Sequence, residues 1–250
     1  MNELSTGTDA LFERELAAHL RALTSSKMEE LRAQFRAESW VLLGRLLPEA
    51  WEQRVRREAW DVLERRGVQR DISVPETGHS PRRLRNVRQR EIAAETEILP
   101  RLYYAGALRT LVAEIAGSPA ELCPFAPERF VLASMSRVGD THGWHWDDYA
   151  YALVYLIDAP PVGAGAEVEY LPGVAWEKQQ PCVQEHLAAG RVRKRRVESG
   201  EAYLLRGDTT LHRVAPLERD ATRVVCAMAY AHPDDLTRAI THETTEAFYR

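Results

Sequence analysis

The chain has 250 residues, 45% of them hydrophobic and 28% charged, enough to bury one large core as a single domain with a helical appendage. A formal net charge of -4 argues against nucleic acid as a partner, and three cysteines outside any CxxC exclude a disulfide framework and a zinc signature. No apolar stretch approaches the length of a membrane span and the start lacks the regions of a signal peptide, so a cytoplasmic, reducing location is expected.

Residues 8–37 read as helical. Leu11, Phe12, Leu16, His19, Leu20 and Leu23 form one apolar stripe, expected to pack into the core rather than meet a partner. Ser26-x-x-Glu29 has the form of a capping box that opens a second helix with Met28, Leu31 and Phe35 inside. Residues 40–43 read as a short buried strand closed by Gly44. Pro48 then opens a helix to about Arg66, with Trp51, Val55, Ala59, Trp60 and Leu63 inward and Gly67 as its stop. From 68 to 90 the periodicity is lost. Pro75, Gly78, Pro81 and the arginines Arg82, Arg83, Arg85, Arg88 and Arg90 predict a long polar loop, either a lid over a site or a solvated basic loop. Residues 91–116 return to helix, kinked or divided at Pro100.

After Gly117-Ser118-Pro119 the pattern predicts strands at 129–138, 149–157, 166–171, 192–197, 201–205, 211–214 and 223–230, with turn signals between them. The basic run 191–196 lies between Gly190 and Gly200 and reads as a solvated edge strand or loop. Many short strands mean a sandwich or barrel, and helices placed before them mean an α+β protein whose helices buttress the sheet. The expected organisation is one domain over 1–250: a mainly helical buttress at 1–117 with the 68–90 loop as a lid, a sheet core at 118–232, and a tail at 233–250.

The chemistry gathers in His142-Gly143-Trp144-His145-Trp146-Asp147-Asp148, which contains His145-x-Asp147 and runs into the apolar stretch 149–157. Side chains at i and i+2 point the same way on a strand. His212, on another short strand, adds a second imidazole, and Arg223 follows on an apolar segment. Two histidines and one carboxylate can occupy one face of an iron(II) ion and leave its other positions open. A second His-x-Asp, at His232 and Asp234, is broken by Pro233 and reads as a turn; His232 and His242 are assigned to solvent or a terminal helix.

These residues resemble the pattern of the iron(II)/2-oxoglutarate-dependent oxygenases, whose core is a double-stranded β-helix, or jelly roll. The resemblance implies that His145, Asp147 and His212 hold Fe(II). It also implies that Arg223 pairs with the far carboxylate of the co-substrate 2-oxoglutarate, and that O2 is consumed with release of succinate and CO2. The alternative for Arg223, a surface residue beside Asp220, is disfavoured by the apolar run that follows it.

More of the chain is similar to a small family of radical halogenases and hydroxylases of free lysine and related amino acids. The motifs are His142-x-x-His145-x-Asp147-Asp148, Glu128 upstream, and Ser80-Pro81-Arg82. In the halogenating members a glycine replaces the carboxylate ligand and vacates a place for chloride; Asp147 fills that place here, so hydroxylation rather than halogenation is expected. By position, the resemblance puts Asp148 and Glu128 against the substrate's side-chain ammonium, and Arg82 and His142 against its α-carboxylate. Asp148 needs a local bend to reach the pocket, and the alternative for Glu128 is an ion pair with Arg129 or a helix terminus. The halogenating relatives carry polar side chains on the last strand where Ala227 and Ala229 fall, which leaves room for a bulkier or modified substrate. The expected function is hydroxylation of free lysine or a lysine-like amino acid. Its rivals are desaturation or ring closure, such as cyclopropane formation, at the same iron, and a jelly-roll binding protein without catalysis. No nucleic-acid or membrane partner is expected.

Overall fold

A computed structural model describes residues 3–249. Two helices, α1 (Glu3–Thr24) and α2 (Met28–Glu38), open the chain and bury Phe12, Leu16, Leu20, Leu31 and Phe35; Leu11, expected on the inner stripe, is exposed. The expected capping box at Ser26 is not formed. Lys27 occupies the cap position of α2 without a side-chain bond there, and its ammonium reaches the Leu43 carbonyl at 3.1 Å. Strand β1 (Trp40–Arg45) runs past Gly44, where a register shift and a φ of +93° mark a bulge rather than an end. Helix α3 (Glu49–Arg66) buries Trp51, Val55, Ala59, Val62 and Leu63. Trp60, expected inward, lies on the rim and donates its indole N–H to Asp158 at 2.7 Å.

The 68–90 segment is not a loop or a lid. It forms a hairpin, β2 (Val68–Val74) and β3 (Ser80–Val87), and β3 is an interior strand. Ser80, Arg82, Leu84 and Asn86 are buried, alternating with exposed Pro81 and Arg83, and Val87 at the end of the strand is buried as well. The period of two is present in burial but not in hydrophobicity, which is why composition read it as a loop.

The expected long helix at 91–116 is three: α4 (Gln89–Glu95), α5 (Ile98–Tyr104) and α6 (Gly106–Ala116). Pro100 causes neither break. It sits in the first turn of α5, where a missing N–H costs little. The remaining strands are β4 (Glu121–Leu122), β5 (Phe130–Met135), β6 (Thr141–His145), β7 (Tyr151–Asp158), β8 (Val168–Pro172), β9 (Arg193–Arg195), β10 (Glu201–Arg206), β11 (Thr210–Val214) and β12 (Arg223–Ala231), with helices α7 (Val183–Ala189) and α8 (Glu243–Tyr249). The basic run supplies β9, an edge strand whose Arg193 and Arg195 reach Glu38.

The described strands form one curled antiparallel sheet in the order β1-β10-β7-β12-β5-β3-β6-β11-β8-β9, with β2 beside β3 and β4 beside β12. The N-terminal helices cover one face of it, making an α+β fold with a jelly-roll-like core. Alternation divides the strands cleanly. Phe130, Leu132, Leu153, Tyr155, Val224 and Cys226 face the helices, while Val131, Ala133, Ala152, Val154, Val225, Ala227 and Ala229 face a cavity on the other side. Among the described residues no helix is long and apolar enough to cross a membrane.

Candidate active site

The cavity exists because small side chains meet in rows across three strands. Ala133 pairs with Val225, Ala227 lies between Val131 and Val154, and Ala229 pairs with Ala152. The space is about 210 Å³. That is below the roughly 300–1,000 Å³ of pockets for drug-sized ligands, so the cavity suits small molecules.

At one end stand His145, Asp147 and His212, with ligand atoms all within 4.8 Å of one another. Cross-strand pairing places His212 of β11 directly opposite His145 of β6. Asp147 lies beyond the end of β6, in the irregular turn before β7, and not on a strand entering β7 as the sequence reading had it. Its carboxylate approaches His145 Nε2 to 3.8 Å and His212 Nε2 to 3.6 Å. Each imidazole donates from Nδ1 to a backbone carbonyl, His145 to Gly143 at 2.7 Å and His212 to Thr210 at 2.9 Å. Those bonds fix the tautomer and leave both Nε2 lone pairs aimed at the cluster, as a metal centre requires. Burial, with His142 and His212 nearby, holds His145 far below its ordinary pKa and therefore neutral. Burial also raises the Asp147 carboxyl, and its Oδ2 has no hydrogen-bond partner. A buried carboxylate oxygen without a donor, facing two imidazole Nε2 atoms, fits a divalent cation and is costly without one.

Gly207 makes room for that carboxylate. A Cβ there would stand 2.1 Å from Asp147 Oδ2, and the Asp147 amide donates to the Gly207 carbonyl at 3.1 Å. Gly207→Ala is expected to displace the carboxylate and lower iron(II) affinity by about 10- to 100-fold in a protein that still unfolds cooperatively. Anaerobic iron titration checks this, and an unchanged affinity would show that Asp147 has another place to go.

Arg223 opens β12 on the cavity face, 4% exposed, and is hydrogen-bonded to the Tyr203 hydroxyl. Its Nη2 has no partner, and no ion pair joins it to Asp220 or any other described carboxylate. Burial lowers its pKa, opposed by Tyr203.

Arg82 is fully buried in β3. It donates to Ser80 Oγ at 2.6 Å, to Thr77 Oγ1 at 3.1 Å and more distantly to the Gly143 carbonyl, while its Nε is unpartnered. Burial pulls the guanidinium down to about 9, with Asp147 opposing. His142 stacks on His145 with ring centroids 4.0 Å apart. Strand alternation alone would send residues three apart to opposite faces. The β6–β11 register supplies the correction: three residues of β6, from His142 to His145, span two of β11, and this bulge turns both rings the same way.

At the far end Glu128, carried by the 3-10 turn Ala126–Glu128, shares a hydrogen bond with Asp148 and accepts one from Thr245 Oγ1 at 2.6 Å. Burial and then Asp148 raise the Glu128 carboxyl well above its usual range. Arg129 is not its partner; that side chain bonds the Cys123 carbonyl and the Tyr104 hydroxyl. The turn between β6 and β7 supplies the bend that Asp148 needs. Asp148 is bound at 2.6 Å by Lys178, a residue the sequence reading passed over. Helix α8 brings Thr244, Thr245, Phe248 and Tyr249 to the cavity wall. His242 lies just before α8, accepting a place between Phe125 and the Tyr149 hydroxyl, and His232 caps a 3-10 turn.

The curled sheet and its His-Asp-His face define a non-haem, iron(II)/2-oxoglutarate-dependent oxidoreductase-type enzyme. The family model Halogenase D matches residues 23–250, and the chain belongs to that family. No curated protein matches it. Among solved structures it resembles the non-haem α-ketoglutarate-dependent epimerase SnoN from nogalamycin biosynthesis, with a TM-score of 0.64, 16% identity, and 83% of this chain and 84% of that one covered. AviO1 from Streptomyces viridochromogenes gives 0.62 at 19% identity, covering 83% and 96%. The carbocyclase SnoK, also from nogalamycin biosynthesis, gives 0.61 at 15% identity, covering 81% and 83%. At these identities the likeness is one of fold.

Proposed function

We propose that the protein binds iron(II) through His145, Asp147 and His212 and 2-oxoglutarate through Arg223, and uses O2 to oxidise a small amino acid in natural-product biosynthesis. The observation that carries this is Arg223, almost fully buried with one unpartnered guanidinium nitrogen, a residue that lines the same cavity as the three ligands. Bound iron with 2-oxoglutarate supplies abstraction of hydrogen from an unactivated C–H bond. The chain's own part is positional: Arg82 and Glu128 hold opposite ends of a zwitterion, and the Ala and Val rows seat its carbon chain against the metal end. Strand packing and residues of α8 line the cavity and limit the access of water to it.

For the fate of the substrate radical we favour ring closure or desaturation over hydroxylation. The fold relatives named as an epimerase and a carbocyclase support a non-rebound outcome, and a protein lysine already occupies Asp148, where a lysine substrate would bind. Hydroxylation of a lysine-like amino acid is the second reading, supported by the carboxyl pair Glu128 and Asp148. Halogenation has little support, because the Asp147 carboxylate fills the place a halide would take.

Anaerobic reconstitution with iron(II) and 2-oxoglutarate, followed by O2 and a panel of free amino acids, tests this. Substrate-dependent succinate with a product lighter by two hydrogens supports ring closure or desaturation; a product heavier by one oxygen supports hydroxylation. Succinate formation that no amino acid stimulates would remove amino acids as the substrate class.

A further inference from the structure

The charged side chains lining the cavity are Arg82, Glu128, Asp147, Asp148, Arg213 and Arg223. Arg213 is spent on Glu169 at 2.6 Å. In the function proposed above, Asp147 and Arg223 are committed to iron and 2-oxoglutarate, whose charges cancel with theirs. Asp148 is also spent. Its side chain is 3% exposed and its Oδ1 accepts from Lys178 Nζ at 2.6 Å. Lys178 is no passing contact: it also donates to the Thr241 carbonyl and to Glu243 at 3.2 Å, and lies over the Trp176 ring at 4.4 Å. What remains is one cation and one carboxyl group without a cationic partner. Arg82 has only hydroxyl and carbonyl partners, and Glu128 has Thr245 and Asp148 but no cation within ion-pair distance among the described residues.

We propose that Lys178 sets the charge class of the substrate. By neutralising Asp148 it leaves a site for one ammonium and one carboxylate, a neutral zwitterion, and excludes an amino acid with two ammonium groups. A second ammonium would have to displace Lys178 from its bonds or lie unpaired in a dry pocket, and either is costly. Lys178 acts through Asp148, without touching the substrate. This inference rests on the amino-acid reading of the site.

The test uses protein loaded anaerobically with iron(II) and 2-oxoglutarate, titrated calorimetrically with L-lysine, L-norleucine and ε-aminocaproate. The three share a six-carbon chain and differ in which ammonium groups they carry. The wild type should bind at least one of the mono-ammonium compounds about tenfold or more tighter than L-lysine. Lys178→Met should reverse that order by tightening L-lysine, and Lys178→Arg should retain it. The double variant Lys178→Met with Asp148→Asn lacks both charges and should return to the wild-type order, which keeps the test sound if the single variant folds poorly. A wild type that prefers L-lysine would overturn the inference and leave the amino-acid reading standing. A uniform shift of all three ligands in Lys178→Met would overturn it too, by reducing Lys178 to a fastener of the C-terminal segment. If none of the three binds to any variant while 2-oxoglutarate still binds, the amino-acid reading itself fails and the inference falls with it.

Discussion

Replacing Arg223 by methionine is expected to weaken 2-oxoglutarate binding by about 100-fold or more while leaving iron(II) uptake in place. The guanidinium is almost fully buried, has one bond to Tyr203, and keeps an unpartnered Nη2, and the residue lines the cavity. A cation in that state has been desolvated in advance, so a carboxylate that reaches it gains a charge-assisted, forked pair without a further desolvation cost on the protein side. Methionine keeps the length and apolar stem and removes only the charge and donors. Lysine at 223 keeps the charge but not the fork, and should lie between the two. Anaerobic titration of 2-oxoglutarate into iron-loaded protein reads the effect directly, with succinate kinetics as a second measure. Equal affinities in wild type and variant would mean that the co-substrate's far carboxylate is held elsewhere. The metal-free variant should be no less stable than the wild type, because it no longer buries an unpaired cation.

Much of this site was legible from residue types because its chemistry uses rare combinations. His145, Asp147, His212 and Arg223 were picked out by spacing and by apolar flanks, and the fold brings all four to one cavity. The strands that separate helices from cavity were legible wherever one face is oily, as in β7 and β12. Legibility failed where a strand faces the site itself. Both β3 and β6 turn polar residues inward, Ser80, Arg82 and Asn86 in one and His142 and His145 in the other, so their buried face looks like a surface. For the same reason the pattern predicts no strand over 141–145, although β6 there carries both His142 and His145.

The geometry that decides specificity was less legible still. A one-residue bulge puts His142 beside His145, and nothing in a string of letters marks it. Lys178 lies in an irregular stretch between β8 and α7, thirty positions from Asp148, where no periodicity predicts a partner. Thr245 meets Glu128 across 117 positions. What requires Gly207 is steric and leaves no mark in the sequence: the Asp147 carboxylate stands where a side chain would be.

Replacing Asp147 by alanine should have the largest effect of any single change, abolishing substrate-coupled succinate formation and lowering iron(II) affinity by more than about 100-fold. Asp147 supplies the only anionic donor of the three clustered ligands, and two neutral imidazoles do not balance the charge of a divalent ion. The stability readout separates this from damage to the fold. With iron(II) at about 100 times its Kd, the wild type should gain about 2.7 kcal/mol of stability, and the variant should gain no more than about 0.4 kcal/mol at the same concentration. Without metal the order should reverse or vanish. Burial raises the Asp147 carboxyl and its Oδ2 lacks any hydrogen-bond partner, so the side chain is a local cost that only the cation offsets. A metal-free Asp147→Ala protein that melts well below the metal-free wild type would contradict this account, because the carboxylate would then be serving the fold. A variant that still bound iron tightly would move the third ligand elsewhere. Asp148 is the next carboxylate along the chain, but its bond to Lys178 argues that it cannot substitute.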